Sequence, residues 1–167
     1  MRDSRAPAGG VRVTTCDTAG SLAAAVGLFD EYRHHYGAPR DADGRTLGWL
    51  TEMLESGLLT VHLAWADSAD APIGLATSHV VPASLAMGSF WQLRDLYVAP
   101  EVRRRGAAAA LVTVVRDAAL AAGATRLSLV TEPDNEAALS LYARLGFAPV
   151  EGLTSLSLDL GRPEVSA

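Results

Sequence analysis

Cysteine is almost absent from this chain of 167 residues, Cys16 being the single one. An internal disulfide and a cysteine-based zinc cluster are both excluded. The four histidines lack the spacing of a metal motif, and His34 and His35, adjacent on a helix, point in different directions, so no metal is expected. An apolar leader is missing as well: the first ten residues carry Arg, Asp, Pro and Gly, and no later run approaches the length of a membrane span. A cytoplasmic protein without a membrane partner is the expectation. Two phosphate-binding patterns are also absent, the G-x-x-x-x-G-K-[ST] loop of nucleotide triphosphatases and the G-x-G-x-x-G turn of dinucleotide folds. Positive charge is scarce, with a net charge of −5 and a pI near 5.3, and the basic run Arg103-Arg104-Arg105 is too local to form a basic face. Nucleic acid is therefore an unfavoured partner, and a cationic small molecule a favoured one.

What is present suits one enzyme-sized domain. Hydrophobic residues make up 49% of the chain and charged ones only 20%, enough to bury a single core, and no linker or internal repeat divides it. The domain is expected over residues 11–160, with residues 1–10 and 161–167 as flexible ends. Residues 11–15 read as a strand, and Leu22, Val26, Phe29, Tyr32 and Tyr36 mark one face of a first helix. Asp43 is placed to cap a second helix that carries Leu47, Leu50 and Leu54 and ends near Gly57. Strands are predicted over 58–66, 73–81 and the central 89–98. A third helix over 107–122 turns Leu111, Val114, Val115 and Ala118 inward. A strand over 126–131, a helix over 135–147 and an alternating last strand over 153–160 complete a β-α-α-β-β-β-α-β-α-β order. That order predicts an α+β domain with helices packed on a mixed sheet.

The stretch from Asp95 to Leu111 carries the chemistry. An apolar strand stops at Pro100, turns through Arg103, Arg104, Arg105 and Gly106, and enters an alanine-rich helix. The first turn of a helix leaves backbone N–H groups unpaired and bears the positive end of the macrodipole, so an anion placed there meets donors and favourable potential together. Gly106 allows close approach, and Ala107 and Ala108 leave the way open. A second strand-turn-helix follows, in which Asn135, Leu139 and Tyr142 fall at i, i+4 and i+7 of one helix.

Arg103-x-x-Gly106-x-Ala108 resembles the [Q/R]-x-x-G-x-[G/A] pyrophosphate loop of the GNAT superfamily of acetyl-CoA-dependent N-acetyltransferases. Asn135-x-x-Ala138-x-x-x-Tyr142-x-x-x-Gly146-Phe147 resembles a second signature of the same superfamily. The likeness extends over residues 10–160 and is strongest over 95–147. It implies a single GNAT-like domain: a mixed, mostly antiparallel sheet with a splayed central strand pair and helices on both faces. It also implies acetyl-CoA as cofactor. Leu96, Tyr97 and Val98 would then offer backbone groups to the pantetheine and the acetyl oxygen. Arg103, Arg104 and Arg105, with the amides of Arg105, Gly106, Ala107 and Ala108, would hold the pyrophosphate; the arginines read equally as surface charges, Arg104 above all. Asn135 would bind the pantetheine arm, and Tyr142, beside the cofactor, would act as general acid toward the leaving thiolate, a phenol pKa near 10 suiting a thiol near 8.5. By their types alone, Asn135 is also a helix cap and Tyr142 a core aromatic.

The resemblance leaves the general base and the acceptor open. In the histone-acetylating branch a glutamate sits eleven residues before the first position of the pyrophosphate motif, where this chain has Gln92, and a glutamine cannot take a proton. Asp95, Glu132, a histidine of the first helix or a water chain remain, and Asp95 equally reads as a carboxylate paired with a neighbouring arginine. Tyr32-Arg33-His34-His35-Tyr36-Gly37 is similar to a first-helix element of a branch related to polyamine and histone acetyltransferases. Glu31, Tyr32 and Tyr36 would then receive an ammonium group by Coulomb and cation–π attraction, with Glu132 nearby; both tyrosines also read as core anchors, and Trp49, Trp65 and Trp91 are ambiguous in the same way. The expected function is acetyl transfer to a primary amine of a small molecule: a polyamine, an amino sugar or antibiotic, or an amino acid. The alternatives are a non-catalytic acyl-CoA sensor and an acetyltransferase of a peptide or protein lysine or N-terminus. A homodimer is compatible with all of these.

Overall fold

A computed structural model describes residues 10–67 and 69–161. The terminal segments predicted to be flexible lie outside these residues except at Gly10 and Gly161. The order is β1 (Val11–Thr15), α1 (Ala19–His35), α2 (Arg45–Glu55), β2 (Thr60–Ala66), β3 (Gly74–Ala83), β4 (Gly88–Val98), α3 (Ala107–Ala121), β5 (Leu127–Ser128) and α4 (Glu136–Arg144). Short 3₁₀ turns, Ser84–Ala86 and Pro100–Val102, flank β4. The five strands lie in sequence order in one sheet, antiparallel from β1 to β4 and parallel from β4 to β5.

Strand alternation divides the core between the two faces of this sheet. Val61, Leu63, Leu75 and Tyr97 meet Leu28 and Phe29 of α1 and Leu50 of α2 on one face. Ala64, Ala76 and Leu93 meet Ala107, Leu111, Val112 and Val115 of α3 on the other. Full burial of a leucine such as Leu63 or Leu111 contributes about 1.5–3 kcal/mol. Close approach of α3 requires Gly74, where a Cβ would lie 2.8 Å from the Tyr97 carbonyl oxygen and 3.3 Å from Leu111 Cδ1. The helix is thereby seated on the end of β4 from which the site is built.

Three local readings change in the fold. Asp43 does not cap α2: its N-cap is Gly44, and Asp41 Oδ2 accepts the Thr46 N–H at 2.6 Å from outside the helix. The buried stripe of α3 is Ala107, Leu111, Val112, Val115 and Ala119, rotated from the predicted one because the sheet meets the helix slightly off that axis. Residues 153–160 form no strand; Leu156, Leu158 and Leu160 are 82–91% exposed, since alternation makes a strand only where an edge is there to pair with it. No helix among the described residues is long and apolar enough to cross a membrane.

Candidate active site

The site begins where β4 and β5 part. Their parallel pairing covers only Trp91 with Leu127 and Gln92 with Ser128, while β4 runs on to Val98. Parallel neighbours that diverge leave backbone groups of the longer strand unpaired on that side, so residues 96–98 of β4 have no β5 partner. Gln92 stands at the fork, half-buried.

Pro100 stops β4, since it has no N–H for the ladder. The chain then bends sharply: Arg104 has φ +63°, uncommon outside glycine, and Gly106 has φ +88°. Arg103 Nε donates to the Val98 carbonyl at 2.9 Å and ties the loop to the strand end. Gly106 is the N-cap of α3 and brings no side chain to the orphan donors of the first turn. A Cβ on Gly106 would meet nothing within 4 Å, so the space above the helix start is open.

That space is a cavity of about 1020 Å³ between the end of β4, the loop, α3 and α4. Of the residues singled out from sequence, Leu96, Tyr97, Val98, Arg103 and Arg104 line it. So do Gly106, Ala107, Ala108, Asn135 and Tyr36. Arg105 is exposed and does not line it. Asn135 is both cap and lining residue: its Oδ1 accepts the Ala138 N–H at 3.2 Å, which leaves its amide nitrogen as a donor. Sequence reading passed over Ser140 and Arg144, which also line the cavity, as does His35, one of the first-helix histidines left open as a base. Arg144 was findable, because Ala137, Ser140, Leu141 and Arg144 recur at i, i+3, i+4 and i+7 and so share one face of α4. Its guanidinium donates to Ser140 Oγ at 2.8 Å.

Tyr142 does not itself line the cavity: it follows the lining residue Leu141, with its ring 5.6 Å from that of Phe147 and packed on the cluster under α3. Burial first, then the electrostatic influence of Tyr36 and of Glu132, raises its pKa and keeps the phenol protonated.

Asp95 is placed elsewhere, on the α1 side of β4. Its Oδ1 accepts the Tyr32 hydroxyl at 2.7 Å and its Oδ2 accepts the Thr77 hydroxyl. The carboxylate is held at the point where the register between β3 and β4 shifts. Burial, then the hydrogen bond to Asp95, pushes the Tyr32 pKa up, and the ring packs between Phe29, Tyr36 and Tyr97 at 5.3–5.8 Å. Glu31 is exposed and contributes, after burial, to the raised pKa of Tyr97. The tryptophans are held by the core: Trp65 Nε1 donates to Thr14 Oγ1 at 2.9 Å, Trp49 stacks on Phe29, and Trp91 packs under α3.

An uncapped helix start, arginines beside it, unpaired strand backbone and a roomy cleft form a cofactor-sized cradle for a phosphorylated group with an extended arm. The sequence profile of the Acetyltransferase (GNAT) family matches residues 23–147, which include every lining residue. The chain belongs to that GNAT family. An uncharacterized N-acetyltransferase of Bacillus subtilis (strain 168), YhfO, is 30% identical over 138 residues, 83% of this chain and 91% of that protein. A probable acetyltransferase of known structure is 28% identical, with a TM-score of 0.82 over 91% of this chain and 99% of its own. An aminoglycoside N-acetyltransferase, AAC(6')-Iy, solved in complex with CoA, matches with a TM-score of 0.72 over 92% of this chain and 98% of its own. At 22% identity that likeness shows the fold alone. N-acetyltransferase chemistry of the GNAT type is therefore the activity of this chain's family, and acetyl-CoA is the cofactor general to it.

Proposed function

We propose that this GNAT protein moves the acetyl group of acetyl-CoA to a primary amine of a small molecule. The observation that carries the reading is the cavity, which joins the open start of α3, the unpaired end of β4 and the Asn135 end of α4. Arg103, Arg104 and Arg144 would neutralise the phosphates, with the first-turn amides of α3 as further donors. The amide nitrogen of Asn135 and the backbone of Leu96, Tyr97 and Val98 would align the pantetheine arm. Acetyl-CoA supplies an activated thioester carbonyl. The amine nitrogen would form the new N–C bond as the C–S bond breaks; Tyr142, a phenol protonated at neutral pH, would give its proton to the departing thiolate and regain one from solvent, while the proton of the amine leaves to the base.

The base is assigned to His35, the first-helix histidine that lines the cavity, or to a water chain. Gln92 cannot accept a proton, and both oxygens of Asp95 accept hydroxyl hydrogens from Tyr32 and Thr77 outside the cavity lining. Asp95 then serves by holding the β4 bend. The polyamine and histone branch rests on the first-helix element, of which Tyr36 and Glu31 are exposed and Tyr32 is committed to Asp95. Together with Glu132 they suit an acceptor bearing a second ammonium group, as polyamines and aminoglycosides do.

Coenzyme A release measured with acetyl-CoA against a panel of mono- and diamines tests this. The sequence contains no lysine, so self-acetylation of lysine adds no background. Diamines should show the lower KM, and Tyr142→Phe should lower kcat by a factor of roughly ten to ten thousand with little change in acetyl-CoA affinity. Binding of acetyl-CoA without turnover of any amine would make the chain a sensor instead.

A further inference from the structure

Where α1 ends, four rings close on one another. Between centroids, Tyr32 lies 5.3 Å from Tyr36 and 5.8 Å from Tyr97, and His35 lies 5.2 Å from Tyr36 and 5.7 Å from Tyr97, so each ring meets two of the others. Tyr32, His35 and Tyr36 stand at i, i+3 and i+4 and share one face of the helix end. His35, Tyr36 and Tyr97 line the cavity, and Tyr32 does not.

Tyr32 is instead the member tied to the sheet by its side chain. Its hydroxyl donates to Asp95 Oδ1 at 2.7 Å, and the other oxygen of Asp95 accepts the Thr77 hydroxyl, which fixes the carboxylate from β3. Burial, and then this hydrogen bond, keep the phenol protonated and so a donor. The helix end needs such a tie. His35 and Tyr36 are both exposed, and the last turn of a helix frays where packing does not hold it. Asp95 also stands directly before Leu96, Tyr97 and Val98, and the register between β3 and β4 shifts beside it. One side chain thus joins the strand proposed to hold the cofactor to the helix end proposed to face the acceptor.

We infer that Asp95 is a positioning residue of the acceptor side, which through Tyr32 holds His35 and Tyr36 at the cavity. The inference rests on the acetyl-transfer reading above, and it gives Asp95 a role that needs its hydrogen bonds and not its charge. An asparagine fills that role, because its carbonyl oxygen accepts from Tyr32 while its amide donates to Thr77 Oγ1. A base could not be so replaced.

Tyr32→Phe, which keeps the ring and its packing, and Asp95→Ala should each lower kcat/KM for a diamine about tenfold, with acetyl-CoA affinity by calorimetry unchanged. The double variant should lose no more than either alone, since both remove the same bond. Asp95→Asn should keep most of the rate. The NMR signals of the His35 ring, assigned by their loss in His35→Gln, are displaced by the ring currents of Tyr36 and Tyr97. They should move toward random-coil positions in Tyr32→Phe and Asp95→Ala, but not in Asp95→Asn. An asparagine variant as slow as the alanine one would make the carboxylate charge itself the requirement and overturn the inference. So would His35 signals and a kcat/KM that stay unchanged in Tyr32→Phe. If no amine is turned over, the acetyl-transfer reading fails by itself, and the His35 signals still decide whether Asp95 holds this helix end.

Discussion

The two long helices of this domain begin in opposite ways. At α1, Thr18 Oγ1 accepts the Ser21 N–H at 3.1 Å while Ser21 Oγ accepts the Thr18 N–H at 3.0 Å, a reciprocal capping box. At α3, Gly106 caps with backbone alone, and the donors of the first turn face a cavity lined by Arg103 and Arg104. Both ends present the same orphan N–H groups. One closes them with its own side chains and gains stability; the other leaves them for an anion. A helix start without a side-chain cap, beside a cluster of one charge, therefore distinguishes a binding end from a structural one.

The largest change should follow from closing the open end. Gly106→Val puts a β-branched residue at φ +88° and fills the space above the first turn. By calorimetry acetyl-CoA affinity should fall about a hundredfold, as expected for two lost hydrogen bonds to a charged group. Unchanged affinity would show that the open start binds no phosphate. Arg103→Ala should have a smaller effect, about tenfold, because Arg104 and Arg144 remain in the cavity. Freed from the Val98 carbonyl, the loop should also exchange its amide hydrogens faster.

The closed end should respond in the other observable. Thr18→Ala removes one half of the capping box and should cost about 1 kcal/mol, lowering Tm by roughly 2–4 °C, with acetyl-CoA affinity untouched. A loss of affinity in this variant would abolish the contrast between the two ends. The least effect is expected from His62, whose Nδ1 lies 3.3 Å from Thr15 Oγ1 near that closed end. Burial lowers its pKa from 6.5, so the folded chain keeps it neutral while the unfolded chain takes up a proton below that value. Its contribution is therefore full above pH 6.5 and is lost as pH falls from there toward the folded pKa. His62→Gln should flatten the pH dependence of Tm below pH 6.5, a slope of less than one proton.

Much of the site was legible because its signals are local. Pro100, the arginines and Gly106 lie within seven residues, and a strand end, a tight turn and a helix start are set by neighbours along the chain. The same holds for Asn135 as a cap. Residues that enter the site from the far side of a helix were harder: Ser140 and Arg144 follow from helical period, but which face of α4 meets the cavity depends on how the helix docks.

The sequence by itself determined the order of elements from β1 to α4, the place where β4 ends, and the helix start suited to phosphate, because each depends on backbone preference and on the period of apolar residues. Only the tertiary structure decided that Asp95 is held by Tyr32 and Thr77, which are 63 and 18 residues away in the chain. It also decided that Asp41 rather than Asp43 binds the first turn of α2, and that His35 reaches the same cavity as Asn135. The leucines of residues 153–160 show the reason most clearly: alternation specifies which side of a strand must be buried, but a strand forms only where another edge completes its hydrogen bonds.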